Sequence, residues 1–138
     1  QKDRFAQKII DHFDGDLTGR KIAVLGWAFK ANTNDTRESA SIYVTEKIAK
    51  KGAIIEIYDP MVTCEAIIKD INNNWQNSKM TKITVLNNIN PLENYDAILI
   101  LTEWEEFKKL IINEKIYNKI FDGRNILDKE KTKYSIGS

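Results

Sequence analysis

Lys21-Ile-Ala-Val-Leu-Gly-Trp-Ala-Phe-Lys-Ala-Asn-Thr-Asn-Asp-Thr-Arg-Glu-Ser39 is the stretch whose reading decides the fold. Ile22 to Leu25 is a continuous apolar run, the pattern of a strand covered on both faces. Gly26 ends it and permits a tight exit. A polar loop from Trp27 to Asn34 follows and carries Lys30. Asp35 and Glu38 then have the Asp-x-x-Glu spacing of a capping box, which predicts a helix from about Thr36 with Arg37 in its first turn. A strand that hands a loop to a helix N-terminus is the usual phosphate-handling arrangement of an α/β sheet.

Working outward, residues 2–13 read as an amphipathic helix, with Phe5, Ile9 and Phe13 four apart and Ala6 and Ile10 beside them. Gly15 and Gly19 break the chain before the first strand. Downstream, Ala40, Val44 and Ile48 form an apolar stripe with Tyr43 alongside, and Gly52 is a natural stop behind Lys47, Lys50 and Lys51. Ile54 to Tyr58 is a second strand, closed by Asp59-Pro60, and residues 62–71 look helical. The asparagine-rich stretch from Asn72 to Ser78 reads as a loop. Lys82 to Leu86 is a third strand, Pro91 to Asn94 a turn or short helix, and Ala97 to Leu101 a fourth strand. Thr102-Glu103-Trp104-Glu105 has the form of a second capping box, opening a helix with Phe107 and Leu110 on its inner side. Ile120-Phe121 is a short fifth strand that delivers Asp122-Gly123-Arg124 to a loop, and Tyr134 to Ser138 adds a small edge element. Strands alternating with helices imply an α/β, Rossmann-like three-layer domain with a mostly parallel sheet of about five strands.

The 138 residues suit one domain with a core of its own. Lysine and arginine number 21 against 20 aspartates and glutamates, so no basic excess points to nucleic acid. The single cysteine, Cys64, has no partner for an internal disulfide, which favours a reducing, cytoplasmic compartment. No apolar run approaches the roughly 18 residues of a membrane span, and the charged start lacks the pattern of a signal peptide. The absence of an initial methionine points to a longer parent chain.

Ligands of such sheets bind at the carboxyl ends of the strands. The loops there carry Lys30 and Arg37, then Thr102 to Trp104, then Arg124, so three cations distant in sequence are expected around one crevice. The Gly-x-Gly-x-x-Gly of a dinucleotide site is missing: Gly26-Trp-Ala-Phe-Lys-Ala has one glycine, with bulky Trp27 and Phe29 where a backbone would meet a pyrophosphate. Asp59 either imitates a ribose-binding acid or closes a turn. Lys30 follows two aromatics able to pack on a base or sugar; its alternative is a solvated side chain. Arg37 binds an anion or pairs with Asp35 or Glu38. Arg124 holds a phosphate or carboxylate through its planar fork, or decorates a surface turn. His12 is read as an exposed residue near a helix C-terminus, and Cys64 as a thiol without a basic neighbour. Metal clusters, Gly-Lys-Ser loops and Gly-x-Ser-x-Gly elbows are missing, and no residue is assigned a catalytic role.

These motifs together resemble one family. Gly26-Trp-Ala-Phe-Lys30 with Asp35-Thr-Arg-Glu-Ser39, Tyr58-Asp59-Pro60, Thr102-Glu103-Trp104 with Phe107, and Phe121-Asp122-Gly123-Arg124 resemble, in order, the carboxyl-terminal UDP-binding domain of the UDP-glucose/GDP-mannose dehydrogenase family. The likeness runs from about Arg4 to Ile136, and the Thr-Arg-Glu-Ser and Thr-Glu-Trp forms look most like the members acting on UDP-glucose. The resemblance implies oxidation of UDP-glucose to UDP-glucuronate with two NAD, through a thioester on a cysteine outside this chain. It implies that residues 1–19 are a connecting helix and linker and residues 20–138 the UDP-sugar-binding domain. Carried over by motif, Phe29, Lys30 and Arg124 are substrate contacts, and Arg37 reaches NAD held mainly by another domain. Cys64 does not match the catalytic cysteine. Asn32 and Asn34 depart from the family's usual Asp and Gly. The full-length protein is expected to be a homo-oligomer, and this piece to be inactive alone.

Overall fold

Five short apolar segments and a two-residue edge build one sheet in the computed structural model, which describes residues 1–76 and 82–136. The strands are β1 (Lys21–Leu25), β2 (Ile54–Tyr58), β3 (Ile83–Val85), β4 (Ala97–Ile100), β5 (Ile120–Asp122) and β6 (Tyr134–Ser135). Their spatial order is β3-β2-β1-β4-β5-β6 and every pairing is parallel. This is the order of a doubly wound nucleotide-binding sheet, with its switch point between β1 and β4. The sequence predicts about five strands; the sixth comes from the tail, whose last two residues, 137 and 138, lie outside the described residues.

The helices are α1 (Lys2–His12), α2 (Ala40–Lys50), α3 (Cys64–Asn74) and α4 (Glu105–Leu110). All four residues of β4 are buried, as are Ile22 to Leu25 of β1, which accounts for the continuous apolar runs. Phe5, Ala6, Ile9 and Ile10 of α1 enter the same core as Val44 and Ile48 of α2 and Ile67 and Ile71 of α3. The helix α1 therefore packs as part of the domain.

Two helix starts differ from the sequence expectation. The helix α2 begins at Ala40, not near Thr36: Ser39 is the N-cap, and its hydroxyl accepts from Ser41 N–H. Asp35 turns its carboxylate to the N–H and guanidinium of Arg37, and Glu38 has a left-handed backbone (φ 60°), so no capping box forms. Arg37 thus precedes the helix. At α4 the N-cap residue is Trp104, which caps no helix amide with its side chain, and the Thr102 hydroxyl expected to cap donates instead to Ala28 C=O at 2.8 Å. The loop expected over Asn72 to Ser78 is helical through Asn74; residues 77 and 78 lie outside the described residues.

Register brings the rim together. Leu25 of β1 is level with Tyr58 of β2 and Ile100 of β4, and Ile100 is level with Asp122 of β5. Four strands therefore end in one row, and the chain leaving each meets the others.

Candidate functional site

Gly26 opens the rim. Its φ is +104°, and a Cβ there would stand 2.5 Å from the backbone nitrogen of Thr102, so β1 and β4 exit closer than any side chain allows. Immediately after it, Trp27 N–H and Ala28 N–H donate to the Asp59 Oδ2 at 2.7 and 3.0 Å. Trp104 Nε1 donates to the same oxygen at 3.2 Å, and Met61 and Val62 N–H donate to Oδ1 at 2.8 and 3.0 Å. Asp59 is buried, and these five donors satisfy it. The residue read as either a ribose acid or a turn is the knot joining the exits of β1, β2 and β4.

That knot decides how the β1 exit can treat a dinucleotide. The amides that would face a pyrophosphate in a glycine-rich turn are occupied by Asp59. The Trp27 ring is wholly buried and donates through Nε1 to Asp70 Oδ2 at 3.0 Å. The first helical turn comes only at Ala40. The β1 exit does not fit NAD as a primary site.

The charged residues are arranged further out. Arg124, after β5, donates from Nη2 to Glu103 Oε2 at 2.6 Å and from Nη1 to Phe29 C=O at 3.3 Å. The other oxygen of Glu103 accepts from Ala31 N–H at 3.0 Å. The backbone on both sides of Lys30 is thus tied to one Arg124–Glu103 pair, while Phe29 and Lys30 are themselves exposed. Asp122, fully buried, fixes the turn that carries Arg124 by accepting from the N–H groups of Arg124 and Leu127. Burial pushes the Glu103 carboxyl up, but the N–H groups of Glu103 and Ala31, and then Arg124, outweigh it and hold the group below its ordinary value. Glu103 is therefore ionised near neutral pH.

Two separate hollows are lined by residues of these loops. One, of about 430 Å³, is lined by Phe5, Leu101, Gly123, Arg124 and Ile136, with Lys2 at its edge. The other, of about 300 Å³, is lined by Phe29, Asp35, Arg37 and Glu38. The Arg124–Phe29 bond joins a wall of the first to a wall of the second. Arg37 is gripped by Asp35, with Nη2 2.8 Å from Oδ2, and its side chain is otherwise open to solvent. The Arg37 side chain, then its backbone N–H, hold the Asp35 carboxyl down at about 2. The one crevice expected around three cations is not formed: Arg124 lines the first hollow, Arg37 lines the second with Phe29, and Lys30, though exposed beside Phe29, lines neither, because the Arg124–Phe29 bond stands between the two. Cys64 lies apart, its thiol 3.3 Å from Asn87 Oδ1. Among the described residues no group of three or more His, Cys, Asp or Glu side chains could hold a metal ion.

The match to known proteins now has a structural frame. The pattern of the UDP-glucose/GDP-mannose dehydrogenase family, UDP binding domain, covers residues 23–129. The chain belongs to this family. As a UDP-binding domain of that family it is 41% identical to UDP-glucose 6-dehydrogenase of Gallus gallus, over 93% of this chain and 28% of that protein. The Drosophila melanogaster UDP-glucose 6-dehydrogenase is 40% identical over 95% of this chain and 30% of its own length. Among solved structures, a UDP-glucose dehydrogenase from the archaeon Pyrobaculum islandicum superposes with TM-score 0.70 at 28% identity, over 99% of this chain and 29% of that one. A UDP-D-ManNAc dehydrogenase from Pyrococcus horikoshii superposes with TM-score 0.57 at 26% identity, over 99% and 28%. The chain spans 28–34% of the length of the curated relatives it matches.

Glu103 has no site role in the sequence reading, and Asp59 is weighed there only as a ribose acid or a turn, not as the knot of three strand exits. Glu103 stood inside an apparent capping box. Nothing in local spacing says that its carboxylate reaches Ala31, 72 positions upstream.

Proposed function

We propose that this rim receives the diphosphate of a UDP-sugar, and that the chain is the UDP-sugar-binding part of an NAD-dependent UDP-glucose 6-dehydrogenase making UDP-glucuronate. One observation carries the reading: Arg124 and the backbone flanking Lys30 are fastened together through Glu103. Membership of the UDP-binding family supports it. A UDP-sugar diphosphate carries two negative charges. Lys30 meets it as a mobile point charge and Arg124 as a planar fork with three N–H donors beyond the two already used. Phe29, exposed beside them, offers a face to the sugar or base. Arg37, preset by Asp35, contributes to NAD bound mainly outside this chain. NAD supplies the hydride acceptor; these residues supply binding and orientation. Residues 1–19 then serve as the connecting helix and linker, with α1 seated on the core of the UDP-sugar-binding domain, and the full-length protein works as a cytoplasmic homo-oligomer.

Calorimetric titration of this chain with UDP, UDP-glucose and NAD tests the proposal. UDP and UDP-glucose should bind, Lys30→Ala and Arg124→Ala should each weaken them about tenfold or more, and NAD should bind weakly. Tight NAD binding, or sustained NADH formation from UDP-glucose by the chain alone, would contradict it. The likeness to a UDP-D-ManNAc dehydrogenase supports a second reading, another UDP-sugar, which competition between the two sugars separates.

A further inference from the structure

We infer that Glu103 is the positioning residue of this rim, presetting Arg124 and the Lys30 loop in one arrangement for a nucleoside diphosphate. The inference deepens the UDP-sugar reading and rests on it. Glu103 Oε2 holds Arg124 Nη2 at 2.6 Å and Oε1 holds Ala31 N–H at 3.0 Å, while Arg124 Nη1 closes the ring on Phe29 C=O at 3.3 Å. Within this ring Lys30 has its backbone fixed on both sides and its ammonium free to turn toward a ligand. Arginine loses much rotamer freedom when ordered. Glu103 imposes that order at folding, so the cost is not incurred again when the ligand arrives.

A carboxylate beside a ligand-binding arginine also competes with the anion, so removing it has two opposed effects. The competing effect is electrostatic, and the Arg124 and Glu103 side chains are 31% and 35% exposed, so water and salt screen it. The positioning effect is geometric and is not screened. A bare competitor would have no reason to hold the Ala31 amide as well. Positioning therefore wins, and Glu103 acts through Arg124 and the loop, without itself touching the anion.

Glu103→Gln, Arg124→Ala and the double variant, titrated with UDP-glucose, form a cycle that reads this coupling. Glu103→Gln should keep the melting temperature within a few degrees and weaken UDP-glucose about five- to tenfold. In the Arg124→Ala background the same change should weaken it less than about twofold. Unchanged or tighter binding by Glu103→Gln, or an equal loss in both backgrounds, overturns the inference. A ligand-free arm stands independently: side-chain NMR should show faster Arg124 guanidinium rotation in Glu103→Gln, and amide NMR faster Ala31 exchange in Glu103→Ala, which removes both acceptor oxygens. If both are as in the unsubstituted chain, Glu103 holds nothing and the inference fails. If the unsubstituted chain does not bind UDP-glucose at all, the UDP-sugar reading falls, and the NMR arm still decides whether Glu103 fixes the rim.

Discussion

Asp59 carries more of the rim than any of the exposed cations do. Its two oxygens take five N–H donors from the exits of β1, β2 and β4 while the residue stays 6% exposed. Asp59→Ala strands those donors and should cost about 3–5 kcal/mol in urea unfolding. A single sequence shows an acid at the end of a strand. It does not show that the acid turns back to amides of Trp27 and Ala28, more than 30 positions away. Gly26→Ala should cost about 2–4 kcal/mol by the same measurement, since the new Cβ meets the Thr102 backbone at a left-handed φ. His12 gives a pH signature. Burial, then Lys133 and Arg20, lower its pKa below the ordinary 6.5. The fold favours the neutral ring, which packs edge-on against Phe13 and Phe121. Its contribution is full above pH 6.5 and declines as pH falls toward the lowered value. Melting temperature should therefore drop slightly between pH 7 and 5.5, and His12→Asn should flatten that slope. The shifted carboxylates Glu56 and Glu103, lowered from 4.5, act below this window.

Elements were legible where burial dictates pattern and obscure where polar residues have two uses. The strands β1, β2 and β4 follow directly from apolar runs, and α1 and α2 from four-residue spacing of Phe5, Ile9, Val44 and Ile48. The helix starts were not legible. Asp35 and Glu38 have capping-box spacing, but Asp35 turns its carboxylate to the N–H and guanidinium of Arg37 and Glu38 takes a left-handed backbone, so helical geometry begins only after Ser39. Ser39 caps α2 instead. Ser39→Ala should cost about 1 kcal/mol of stability, and Asp35→Ala much less, in paired thermal melts. A proton titration should find Asp35 ionised down to pH about 2, with Arg37→Ala raising it toward the ordinary 3.8 but not all the way, since the backbone N–H of residue 37 still donates. The short edge strand β6 has only two residues, too few for any period to show.

Across the whole molecule, alternation of strand and helix was enough to give the parallel sheet, at whose carboxyl ends the proposed ligand edge lies. It also brought Phe29, Lys30 and Arg124 to that edge, because level strand ends are a consequence of register in a parallel sheet. Strand order alone does not show which carboxylates tie the rim, since those bonds join residues 21 to 72 positions apart. One rim, built from three loops, is proposed to receive the diphosphate of a UDP-sugar. Amide NMR of the labelled chain during titration with UDP-glucose tests it most directly. The account expects saturable shifts concentrated at residues 29–31, 103 and 123–125, with little change around Cys64 and Asn87. Shifts centred on the Cys64 hollow, or none at millimolar UDP-glucose in a folded sample, would contradict it.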